Sequence, residues 1–178
     1  MIIFSDGWKN LMEKYGGIPN PDLTFVGLSD FCKRFGATLV KRYSKNRGGM
    51  LGQYYTNKVV VFQQSKYFDW GSWGYIKVLA HELGHHFIKT LDIIIPYRYD
   101  YNGTSEENLA AYIKSEQLAE GFAYKICCKW FSRFEWDKAM FSSCSTKHSV
   151  KAYLFLNKIP LELTEKVSES LFSVKETK

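Results

Sequence analysis

The chain reads as an α+β domain in which a small three-stranded sheet packs on two long helices, with a helical extension behind them. Three observations predict this. Residues 37–63 hold three short runs rich in strand formers, and only Thr56 and Asn57 separate the last two. Residues 75–86 and 104–130 carry apolar side chains at helical spacing. A length of 178 residues, 46% apolar and 24% charged, supports one domain with a sizeable core and ordinary globular composition. The tight turn favours an antiparallel sheet, with a mixed sheet as the variant.

Taken in order, residues 6–15 form a short helix closed by Gly16-Gly17, and Pro19-Asn20-Pro21 makes a turn. Ser29 is a reasonable N-cap for a helix over 30–35, which Gly36 ends. Strands follow at 37–43, 50–55 and 58–63, then the first long helix. The aromatic stretch 92–101, closed by Asn102-Gly103, either roofs a cleft or packs as a linker. Thr104 and Glu107 have the spacing of a capping box for the second long helix, which runs to about Trp130. Beyond it, 134–141, 149–156 and 161–172 look helical, and their apolar residues are best buried against the core. The whole of 1–178 is one domain with its core at about 28–131 and an extension at 132–178.

No run is apolar and long enough to span a membrane, and Met1-Ile2-Ile3-Phe4-Ser5-Asp6 lacks the features of a signal peptide. A cytoplasmic protein without a membrane partner is expected. Cys32, Cys127, Cys128 and Cys144 lack metal-knuckle spacing and read as reduced structural thiols. Net charge is +6, with a cluster at Lys41, Arg42, Lys45 and Arg47. No recognition-helix pattern accompanies that cluster, so a solvated face is favoured over direct nucleic-acid binding. Spacing and composition carry no signal for oligomeric state.

The first long helix holds His81-Glu82-Leu83-Gly84-His85. Ile76, Leu79, Ala80 and Leu83 give it an apolar face, and Gly71, Ser72 and Gly74 a start. Residues four apart share a helix face, so His81 and His85 can offer two imidazole nitrogens to one zinc ion. Glu82 projects about 100° around the axis from His81, which suits a base rather than a third ligand. His86 points elsewhere and reads as a surface residue or a support behind the ligands. In the second long helix, Leu109, Tyr112, Ile113, Ala119, Ala123, Ile126 and Trp130 fall along one face, and Glu116 and Glu120 fall with them. Two carboxylates on a core stripe need a partner, unless both lie on an exposed edge of a merely amphipathic helix. Zinc held by His81 and His85 would supply it, with Glu116 as third ligand and Glu120 accepting a hydrogen bond from the far nitrogen of a ligand histidine. Three protein ligands leave one position of a tetrahedral zinc open, the pattern of a catalytic site, with one ion per chain. The donor for a developing oxyanion is not singled out. Tyr112, Tyr97, Tyr99, Tyr101 and His148 are candidates.

His81-Glu82-Leu83-Gly84-His85, followed 31 residues after His85 by Glu116-x-x-Ala119-Glu120-x-Phe122-Ala123, resembles the ImmA/IrrE-type metallopeptidases, small zincins of the glutamate-ligand (gluzincin) class. The resemblance covers about residues 28–131. It implies a zincin-like fold, with His81, His85 and Glu116 as zinc ligands and Glu82 as general base. It further implies an endopeptidase that hydrolyses a peptide bond in a specific protein partner, in that family a helix-turn-helix repressor, often encoded on phages or mobile elements. The position of Glu120 is usually Asn or Asp there. More distantly, the same order of parts is similar to the catalytic domain of the anthrax lethal factor class, which is larger and secreted. From a different class of function, a non-catalytic zinc-binding regulatory or interaction domain could use the same scaffold, though it would have no use for a base at Glu82. Substrate is expected to lie extended against the edge strand nearest the motif helix, where Gly52 permits close backbone approach.

Overall fold

A computed structural model describes residues 2–43, 52–63, 73–93 and 105–130. Among these, four helices and one small mixed sheet form an α+β arrangement: α1 (Ile2–Tyr15), α2 (Phe25–Arg34), β1 (Thr38–Tyr43), β2 (Gly52–Tyr55), β3 (Lys58–Gln63), α3 (Trp73–Thr90) and α4 (Ser105–Trp130). The expected oxyanion candidates His148, Tyr97, Tyr99 and Tyr101 and the expected helices beyond Trp130 lie outside the described residues. No helix among those described is long and apolar enough to cross a membrane.

Helix α2 starts earlier than its serine suggests. Thr24, not Ser29, is the N-cap: its backbone is extended, and Thr24 Oγ1 accepts from the Gly27 amide at 3.2 Å. Leu28, Phe31 and Cys32, at i, i+3 and i+4, then turn inward, a face that needs the extra turn. The helix ends as Gly36 takes φ +80°, its amide reaching Lys33 O while Ala37 N reaches Cys32 O, the paired bonds of a Schellman cap.

The strands follow from their residues and from one turn. Thr56 and Asn57 have φ of +46° and +61°, the left-handed pair of a type I′ turn, so β2 and β3 form the expected hairpin. The sheet is nevertheless mixed. β1 pairs with β3 in parallel, and the order β1-β3-β2 puts β3 in the centre. A short turn dictates the pairing of the strands it joins and says nothing about β1, which is placed by packing against α2. Central β3 is buried on both faces: Val59 and Val61 join the main core with Leu39, while Val60 and Phe62, on the other face, are also inaccessible.

Helix α3 buries Ile76, Leu79, Ala80, Leu83 and Phe87, and runs between the β2–β3 hairpin and α4. Edge-on aromatic contacts fasten the helices behind the motif: Phe35 on Phe87 at 5.2 Å, Phe31 on Trp130 at 4.8 Å and Phe87 on Phe122 at 5.8 Å. Each such ring buried from water contributes about 1.5–3 kcal/mol, so the motif turn of α3 sits on a stiff apolar floor.

Candidate metal centre

The site exists because α3 and α4 touch backbone to backbone. A Cβ on Gly84 would fall 2.5 Å from Ala119 O and 2.7 Å from Ala119 Cα, a separation no side chain can occupy. Gly84 adjoins His85, and Ala119 lies three residues after Glu116, so this contact draws the two polar turns together.

Glu116, itself buried, then divides its carboxylate between the two imidazoles. Its Oε2 lies 3.2 Å from His81 Nε2 and its Oε1 lies 3.2 Å from His85 Nε2. Donor atoms of His81, His85 and Glu116 all fall within 4.8 Å of one another, a group that can hold a metal ion. Behind it, His81 Nδ1 lies 2.9 Å from Glu120 Oε2, and His85 Nδ1 lies 3.3 Å from Ser115 Oγ. Those contacts fix both rings with Nε2 forward. Glu120 is buried too, and its other oxygen lies 3.3 Å from Lys77 Nζ, an ion pair not aligned as a hydrogen bond.

The electrostatics follow from this crowding. Burial opposes a charge on His81, but hydrogen bonds to Glu116 and Glu120 and the nearby carboxylates outweigh it and push its pKa up to about 10. Without metal, His81 therefore donates from both nitrogens. Glu116 is held well below the usual carboxylate range; burial works against this, and the two histidines override it. Glu82 moves the opposite way: burial raises its pKa, and the histidines only partly offset that. Its carboxylate sits against the edge strand, where a Cβ on Gly52 would lie 2.6 Å from Glu82 Oε1.

His86 is not a surface residue. It is fully buried on the sheet side of α3, with Nε2 2.7 Å from Phe35 O and Nδ1 3.2 Å from the Tyr54 hydroxyl. Nε2–H donates to the carbonyl, so Nδ1 is an acceptor and shares the single Tyr54 hydroxyl proton with Asn57 Oδ1, also at 3.2 Å. Burial, chiefly, lowers its pKa.

The chain matches no family model, no curated protein and no solved structure. The chemistry rests on the residues themselves. Of the anticipated site residues, His81, His85, Glu116 and Glu120 come together, Glu82 lies between them and β2, and Tyr112 is half-buried one turn before Glu116. Two contributors went unread. Lys77 precedes His81 by four residues and so shares its face, a spacing that could have revealed it. Ser115 has no spacing relation to His85 and becomes visible only once the helices are docked.

Proposed function

We propose that this chain is a zinc-dependent endopeptidase with zincin-like packing, acting on a specific protein partner such as a helix-turn-helix repressor. The observation that carries the reading is the convergence of His81, His85 and Glu116 from two helices, with buried Glu82 beside them. Tetrahedral zinc at bonds of about 2.0–2.1 Å separates its ligand atoms by roughly 3.3 Å. Each imidazole Nε2 lies 3.2 Å from one of the two Glu116 oxygens, and the three donor atoms lie within 4.8 Å of one another, a spacing that one such ion can draw together. The donor set of two imidazoles and one carboxylate suits it as well.

When bound, zinc would supply Lewis-acid polarisation of a peptide carbonyl and would acidify a water to a pKa of about 7. The remaining work belongs to the chain. Glu82 accepts the proton of the attacking water and returns it to the leaving amine, and its raised pKa makes it a better acceptor. Glu120 and Ser115 hold the imidazoles in orientation. Strand β2 is an edge of the sheet in the order β1-β3-β2, its Gly52 against Glu82 and its Gln53 exposed, so an extended substrate laid along it would meet the base. A proline at Gln53 that left cleavage unchanged would remove this path. Tyr112 is the described candidate for oxyanion donor.

The non-catalytic alternative fits less well. Structural zinc sites close with four protein ligands, and among the described residues this cluster holds three. Glu82→Gln decides between them: it should keep one zinc per chain while proteolysis of the partner falls by about 10²–10⁴-fold. A variant that cleaves as fast as the parent removes Glu82 as base, and a parent without metal removes the zinc reading itself.

A further inference from the structure

We infer that Lys77 is a positioning residue of this centre, paired with Glu120 so that the two together do the work of a single neutral hydrogen-bond acceptor behind His81. The inference rests on the metal reading above and goes beyond it, because that reading gives Lys77 no part.

Three carboxylates, Glu82, Glu116 and Glu120, are buried within one small volume. A divalent ion balances two of them. The third would leave an uncompensated charge out of water, which is expensive. Among the described residues Lys77 supplies a compensating positive charge: one turn before His81 on α3, its ammonium lies 3.3 Å from Glu120 Oε1, leaving Oε2 to face His81 Nδ1 at 2.9 Å. Lys77 is itself mostly covered, with 24% of its side chain exposed against 4% for Glu120, so the pair is screened far less than a surface ion pair. An acceptor with no charge would need no such lysine. Glu120 and Lys77 are thus one unit, and removing either alone leaves a charge that the site is not built for.

The sign of this coupling is testable by metal affinity rather than by proteolysis. Glu120→Gln keeps the length and the acceptor but takes the carboxylate away from the ammonium, next to a dication. Zinc affinity, read by competition with a chromogenic chelator at fixed pH, should fall by about 10–100-fold, as for other supports behind a metal ligand. Adding Lys77→Met removes that positive charge as well, and K77M/E120Q should recover to within about threefold of the parent, a strong departure from additivity. Lys77→Arg alone should leave affinity within the same margin.

A double variant as weak as E120Q, or weaker, would overturn the proposal, since a merely structural lysine cannot rescue its neighbour's loss. So would an E120Q chain that binds zinc like the parent. Helical circular dichroism of each metal-free variant shows that affinity is read on folded protein. If K77M/E120Q fails to fold, the same cycle with K77Q/E120Q serves. A parent that takes up no zinc would instead sink the metal reading, and this proposal with it.

Discussion

Helix α3 has two seams, and its histidines divide between them. On the sheet side His86 has both nitrogens satisfied by neutral groups, the Phe35 carbonyl and the Tyr54 hydroxyl, and burial holds it uncharged. On the α4 side His81 is also mostly covered, yet Glu116 and Glu120 raise its pKa to about 10. The same side chain, a few residues along the same helix, is a finished structural part in one seam and an acquired charge awaiting exchange in the other. Burial alone makes a histidine inert. Burial opposite carboxylates makes it a place where a metal can replace a proton.

The contrast can be broken most severely at Glu116. Glu116→Ala removes one of the three donors, and zinc affinity should drop by more than the ~100-fold that loss of an outer support costs. Isothermal titration would show it, and retention of parental affinity would mean that the α4 seam is not a metal site. Next in size is pH. His81 has a raised folded pKa, so its contribution to the metal-free chain is complete below about 6.5 and is lost as pH rises towards about 10. The melting temperature of chelator-treated protein should therefore fall between pH 6.5 and 8.5, by on the order of a few kcal/mol in stability. The gap to the zinc-loaded protein should widen across the same range, and a constant gap would contradict the assignment. Gly84→Ala presses a methyl into the Ala119 backbone and should destabilise the fold by about 1–3 kcal/mol and weaken zinc binding together. Smallest is Tyr54→Phe, which removes one hydroxyl from the sheet seam: about 0.5–1.5 kcal/mol by chemical denaturation, with zinc affinity unchanged. Loss of metal in that variant would merge the two seams into one.

Much of this was legible beforehand where local rules decide. The two-residue gap at Thr56-Asn57 between two strand-forming runs specifies a hairpin, and the i, i+4 histidines and glutamates declare shared faces. Legibility ended where docking decides. That β1 pairs in parallel beyond β3 depends on α2 packing and on a connection too long to constrain it. His86 looked like a surface neighbour because helical phase places it away from His81, while only the position of β2 shows that this direction leads into the core. Thr24 displaced Ser29 as cap because burying Leu28 requires a helix already under way.

The absence of side chains between Gly84 and Ala119 has a consequence for how the donor cage tolerates change. Its dimensions are inherited from two main chains in direct apposition, not from rotamers that could adjust. Apolar residues elsewhere on α3 and α4 can therefore be exchanged without retuning the cage, whereas a single methylene at the crossing shifts all three donors at once. An engineer seeking a roomier or tighter ion would do better to move one helix than to lengthen a ligand.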